Sequence, residues 1–421
     1  MHWRPIILHF RQILLLFTGF LLFQAIEAQQ QNLDYFLKTG LQNSPLLKDY
    51  SNRVKSALID SMRIKAGQGI QVNASSINSW APVVKGWGYD EVKTDITQLS
   101  AVVQVSKDIT WSKNLQNKYQ AIRLQNQAAL LESSISARDL KKTIISQYLL
   151  AYSDQQFYEL NSEVLAFLKH EEQIVRGLTE NGFYRQTEYL SFMVNIRQQE
   201  LIADQYGFQF RTDLETLNYL CGIHDTTRIV LAAPDLKPDP PPGIRNTLFY
   251  RQFVIDSLKL LNADRQIYLD YQPKLSIFAD GGYLSSLAST PWKNFGVSAG
   301  LSLTVPIYDG KQKKMQHDQV TISESTRSNY QNFFENQYSQ QIILLIHQLA
   351  SIDRITEKTM GQLTYTQALI DANRVLLNAG DISVTDYLLS VSNYLNAKNL
   401  LIEKSAERFR IINELNYWSE K

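Results

Sequence analysis

The chain has 421 residues, 44% of them hydrophobic, with 42 basic side chains against 41 acidic ones. That balance removes the electrostatic case for a nucleic-acid partner or a strongly anionic one. Cys221 is the only cysteine, which excludes an internal disulfide and reads as a small buried apolar residue near a helix end.

Arg4 and Arg11 flank the start of an apolar run at 13–23, followed by Ala25, Ala28 and three glutamines. This is the pattern of an export signal cut near Ala28. The run is shorter than the roughly 20 residues that a membrane-spanning helix needs. From 31 to about 66, Leu33, Leu37, Leu41, Leu47, Val54 and Leu58 recur at helical spacings until Gly67 and Gly69 interrupt them. A β-hairpin is expected at about 69–107. Its first strand alternates Ile70, Val72 and Ala74 with Asn73 and Ser75, and its second alternates Leu99, Ala101, Val103 and Val105 with Ser100, Gln104 and Ser106. The loop between them carries Trp80, Trp87 and Tyr89.

After Trp111 a helical pattern runs to about 178, breaks at Asn181 and Gly182, and resumes from about 186 to 220. The stretch APDLKPDPPPG at 233–243 suits neither helix nor central strand and marks a linker over 231–243. The same order of elements then returns. A helix over about 244–271 leads to strands at 275–283 and 295–305, the hairpin covering about 274–306. The second strand lies in NFGVSAGLSLTVPIYDGK, where Phe295, Val297, Ala299, Leu301, Leu303 and Val305 alternate with Ser298, Gly300, Ser302 and Thr304. Asp309 and Gly310 open a helix expected to reach 377, and a break at Ala379, Gly380 and Asp381 leads into a last helix to about 418.

The two halves, 29–230 and 244–421, keep one register. Ile307 follows Ile109 by 198 positions, as Lys311 follows Lys113, Gly380 follows Gly182 and Asp386 follows Glu188. An internal duplication explains landmarks so far apart staying in step. In the last helix Leu388, Leu395, Ile402 and Phe409 recur every seven residues beside Val384 and Val391, a coiled-coil seam broken at Lys398. Gln, Asn and Ser elsewhere suit helices in a wall wetted on both sides.

Two membrane hairpins, two long helical hairpins, a proline-rich linker and an export signal together resemble the TolC-like outer-membrane efflux channels. The motifs VPIYDG at 305–310 and AGDISVTDYL at 379–388 carry the resemblance most sharply. It implies an α+β membrane protein in which a long helical coiled-coil barrel continues into a β-barrel completed by trimerisation, four strands per chain. It further implies an outer-membrane location with a tunnel in the periplasm, a periplasmic adaptor and an inner-membrane pump as partners, and contact with outer-membrane lipid. Asp386, Glu188 and Thr187 match pore-lining positions near the closed end of the tunnel, while Leu389 stands where a second aspartate is found. Ile382 and Leu377 replace the arginine and tyrosine of a polar latch, so closure is expected to rest on packing. The two tips, Gly182, Phe183, Tyr184 and Arg185 with Gly380, Asp381, Ile382 and Ser383, fall where the family meets its adaptor.

For Asp386 and Glu188 the plainer alternative is a pair of solvated carboxylates near helix N-termini. Trp80, Trp87, Trp292 and Phe295 flank strands of membrane length and are expected in an interfacial girdle rather than as ordinary loop aromatics. Six histidines without ligand spacing, and no phosphate loop, nucleophile elbow or paired catalytic carboxylates, point away from an enzyme, a metal site or a cofactor. The rival reading is an exported coiled-coil or adaptor protein that bridges membranes without conducting. Greasy strand faces weigh against it.

Overall fold

A computed structural model describes residues 31–87, 96–224, 227, 229–286 and 291–419. The export signal and Tyr89 lie outside the described residues. The chain divides into two compact units.

One unit, drawn from Lys48–Ile135 and Leu248–Asn336, holds the sheet. Strands β1 (Gln71–Ala81), β2 (Ile96–Ile109), β3 (Lys274–Ser285) and β4 (Phe295–Thr304) form one antiparallel sheet in the order β1-β2-β3-β4. They are 11, 14, 12 and 10 residues long, enough for the nine to eleven or so that an oblique membrane strand requires. The helical parts of this unit are joined by polar clasps. Asn117 and Asn262 exchange side-chain amide bonds at 2.8–3.2 Å, and Arg327 Nη1 donates to Phe253 O at 3.4 Å.

The other unit comprises the chain up to Leu47, Ser136–Thr247 and the chain from Gln337 onward. Taken in order, the helices are α1 (Leu33–Asn43), α2 (Pro45–Gly67), α3 (Ser112–Glu180), α4 (Gln186–Cys221), α5 (Leu248–Asp270), α6 (Gln312–Ala379) and α7 (Val384–Ser419). The duplication is visible in their lengths: 69 residues in α3 against 68 in α6, and 36 in both α4 and α7. At 1.5 Å per residue, each long helix extends about 100 Å. Two apolar clusters hold this unit. One gathers Leu160, Val164, Leu168 and Val175 of α3 with Phe192 of α4, Ile370 of α6 and Val384, Tyr387 and Val391 of α7. The other joins Phe36, Ile144, Tyr148, Phe210, Leu217, Cys221 and Leu231. Cys221 is fully buried, as its position suggests.

Three expectations need correction. The first helix is two helices: Ser44 interrupts it, and its hydroxyl accepts a bond from Leu47 N while Pro45 begins α2. Proline lacks the donor a continuing helix would need, but at a first position it costs nothing. The helix expected from 244 begins at Leu248, after a short 3-10 turn at Ile244–Asn246. In α7 the innermost line is Val384, Tyr387 and Val391; Leu388, Leu395 and Ile402 pack only partly buried beside it.

Candidate functional site

Register builds the sheet's two faces. Residues paired across an antiparallel ladder share a face. One face therefore carries Val72 and Ala74 of β1, Leu99, Ala101, Val103 and Val105 of β2, Leu275, Ile277, Ala279 and Tyr283 of β3, and Phe295, Val297, Ala299, Leu301 and Leu303 of β4, with Ser76, Asn78 and Lys107 among its polar members. The opposite face carries Asn73, Ser75, Ser100, Gln104, Ser106, Ser276, Asp280, Ser298, Ser302 and Thr304. Ile77, which closes the first strand's alternation in the sequence, pairs with Ser100 and falls on the polar side. The apolar face is largely uncovered, with Val297 at 89% and Leu301 at 70% exposure. Apolar exposure of that extent marks an interaction surface rather than a water-facing one.

At the hairpin end of the sheet the expected girdle residues Trp80, Trp87, Trp292 and Phe295 are all exposed, and Phe295 meets Tyr283 edge-on at 5.2 Å between ring centroids. Sequence reading missed the aromatics at the helix end. Trp111 donates its indole N–H to Pro273 O, and Tyr308 is exposed beside Asp309. The positions of both next to a strand end were the available signal.

Asp309 makes the strand-to-helix turn. Its carboxylate accepts from Lys311 N and Lys313 N at 2.9 and 2.7 Å, while Gly310 and Lys311 take positive φ values of 65° and 70°. The bond from Lys313 N first, then those from Tyr271 and Lys311 N, hold its pKa below the ordinary carboxylate range.

The two helix turns at the other set of candidates are tied together. Gly182 and Gly380 adopt φ of 80° and 78°, and each turn ends its helix with backbone bonds to the preceding carbonyls. Tyr184 is buried, and its hydroxyl donates to the carbonyls of Leu377 and Ile382 at 3.2 and 2.9 Å. Its side chain therefore offers nothing to a docking partner. Phe183 is exposed and its ring packs against Gly380, while Gly182, Arg185 and Asp381 are exposed and Ile382 and Ser383 half-buried.

Asp386 and Glu188 both act as helix caps. Ser383 Oγ accepts from Asp386 N at 3.1 Å, a side-chain cap on the helix start, and donates to Asp386 Oδ2 at 2.7 Å. Glu188 Oε2 accepts from the backbone Arg185 N at 3.0 Å, a capping-box bond that Asp386 does not make. Asp386, Thr187 and Leu389 are exposed and Glu188 is half-buried, so the caps still face outward.

One turn from Leu377 the two repeats share an ion pair. Glu171 of α3, fully buried, pairs with Arg374 of α6 at 2.8 Å, and the guanidinium also lies over the Phe167 ring. Glu171 Oε2 and the Tyr387 hydroxyl have no hydrogen-bond partner among the described residues; burial, with Glu171 beside it, raises the Tyr387 pKa. Leu377 and Ile382 lack polar side chains, as the sequence shows, yet a charged tie between the repeats exists at a place the motif did not indicate.

No protein-family model and no curated protein matches the sequence. Solved structures do. A structure of CusC, described for its folding and transmembrane channel formation, superposes with a TM-score of 0.76 at 13% identity, covering 93% of each chain. The outer-membrane protein VceC of Vibrio cholerae gives 0.74 at 13% identity over 92% of this chain and 96% of its own. The Campylobacter jejuni CmeC outer-membrane channel gives 0.73 at 13% over 92% and 85%. The chain has the fold of the TolC-like outer-membrane channels: α+β, two repeats, four antiparallel strands and long helices.

Proposed function

We propose that the chain is the outer-membrane channel component of a tripartite efflux or type I secretion system, working as a homotrimer with its tunnel in the periplasm. The observation that carries this reading is a four-stranded sheet with one exposed apolar face and two open edges, in the fold shared with outer-membrane channels. Lipid cannot satisfy the free N–H and C=O groups of β1 and β4, and single barrels begin at about eight strands. Several chains must close the barrel, each β1 pairing with a neighbour's β4. Three chains give twelve strands. No helix among the described residues is long and apolar enough to cross a membrane, so the sheet is the element that supports insertion. A non-conducting bridging protein would leave its apolar face unused.

In this reading the polar strand face lines the lumen, and the turns around Gly182 and Gly380 meet a periplasmic adaptor that brings an inner-membrane pump. Asp386 and Glu188, aided by Thr187, ring the narrow end with negative charge, which favours cations. Asp386→Asn keeps an acceptor for the Ser383 cap and removes the charge, so it should weaken cation preference; Leu389→Asp should strengthen it. Mass measurement of the protein from outer-membrane fractions in mild detergent, with conductance in planar bilayers, tests the whole reading. A monomer or dimer, or a trimer that never conducts, would overturn it.

A further inference from the structure

On the polar face of the sheet, the register aligns Asn73, Gln104, Asp280 and Ser298 in one row across all four strands. Asp280 accepts a 2.7 Å bond from Ser298 Oγ and has no basic side chain on it among the described residues. The other charged residues of this face, Asp108 and Lys274, lie in the end rows nearest the helices. Asp280 is thus the only mid-strand charge on that face. The next row toward the helices holds Ser106, Phe278 and Gly300. A Cβ at position 300 would come within 2.8 Å of Phe278 Cζ. Glycine there lets the Phe278 ring lie across β4 instead of being pushed off the sheet. Same-face neighbours two residues apart on a strand are about 7 Å from one another, so the carboxylate and the aromatic ring form one patch.

We propose that Asp280 and Phe278 form a selecting band for organic cations on the barrel wall, distinct from any charge at the helix turns. This rests on the channel reading above. A carboxylate in the middle of a strand is expensive toward lipid and tolerable toward water. Trimerisation repeats it three times around a low-dielectric wall, where a ring of like charge concentrates counter-ions. An adjacent aromatic ring adds attraction for a cation and burial for its apolar groups. The favoured passenger is therefore positively charged and partly apolar.

The test is the intact trimer in a planar bilayer under a KCl gradient, with tetraphenylphosphonium as the organic probe. Wild type is expected to be cation-selective and to show concentration-dependent block by the probe. Asp280→Asn should move the reversal potential toward zero and relieve block, whereas Asp280→Glu should retain both. Phe278→Leu should leave the KCl reversal potential in place and weaken block alone. Conducting trimers whose reversal potential and block are unchanged by Asp280→Asn would overturn the proposal while leaving the channel reading intact. Absence of conductance in wild type would remove the channel reading itself.

Discussion

Asp154 of α3 and Asp213 of α4 are both buried, at 8% and 7% exposure, and hydrogen-bond one another. Their counterparts 198 positions on are Ile352 and Ile411, likewise buried. One repeat buries two isoleucines where the other buries two carboxyls. Gln147 and Gln209 donate to Asp213, Arg410 acts on Asp154 electrostatically, and Asp154 Oδ2 has no hydrogen-bond partner among the described residues. Burial first, then the bond and charge of Asp213, push the Asp154 pKa up to about 8, with Arg410 offsetting part. The folded chain therefore holds a proton that an unfolded aspartic acid releases near pH 4. Its contribution is complete below about pH 4 and is lost as pH rises to about 8. Thermal unfolding of the detergent-solubilised protein should show stability declining across that window. Asp154→Ile with Asp213→Ile should flatten the decline and raise the midpoint; an unchanged slope would contradict the shared proton. The sequence contained this pair, yet it became informative only when both partners were found buried and in contact. Asp386 and Glu188 were legible in the opposite sense, because a helix-start position reads as a cap from sequence and the structure supplies the bonds.

At the scale of elements, strands were the most legible part of the chain. Their alternation fixes two faces, and the register places Leu301 opposite Ile277, with Ser302 beside it opposite Ser276. A lysine at Leu301 should cost about 2–4 kcal/mol per chain if the residue lies near mid-membrane and should reduce outer-membrane assembly. Ser302→Lys should assemble normally. Quantifying heat-resistant oligomer in membrane fractions distinguishes them, and equal assembly would sink the assignment of faces. Gly282 provides a second check. A Cβ there would lie 2.2 Å from Ala101 O and 2.7 Å from Val102 Cα, so Gly282→Ala should disrupt the β2–β3 ladder, lowering oligomer yield where Gly296→Ala, with open space around it, should not. Helix existence was equally clear, since glycine at positive φ marks both turns. What the sequence hid was local competition: Ser44 and Pro45 supply a helix stop and start within an unbroken leucine pattern. Tyr387 was hidden too, because a tyrosine at a helix start does not announce that it is fully buried.

For the whole molecule, the duplication sets up joints that look equivalent and are built differently. Arg176 and Tyr189 of the first repeat correspond to Arg374 and Tyr387 of the second, each 198 positions on. In the first repeat Glu172, on the same helix, serves both Arg176 and the Tyr189 hydroxyl, at 2.6 and 2.7 Å. Ile370 replaces Glu172 in the second repeat, and Arg374 takes its carboxylate from Glu171 across the repeat boundary. The counterpart of Glu171 is Leu369, which has no charge to offer a neighbouring chain. In the proposed trimer of six hairpins, three joints would lie within chains and hold this ion pair, and the three between chains would lack it. Removing the partner of a fully buried ion costs about 3–5 kcal/mol. Arg374 is 42% exposed, so screening reduces the expected cost to about 1–2 kcal/mol. Arg374→Ala should therefore lower the unfolding midpoint and raise the open fraction of the tunnel, because it frees one repeat from the other. Arg374→Ala combined with Glu171→Leu adopts the uncharged arrangement and should recover stability without restoring the tie. Arg176→Ala breaks only contacts inside its own hairpin and should leave gating near wild type. Single-channel recordings of the three variants decide the matter: equal opening in Arg176→Ala and Arg374→Ala would mean that the inter-repeat ion pair does not hold the tips closed.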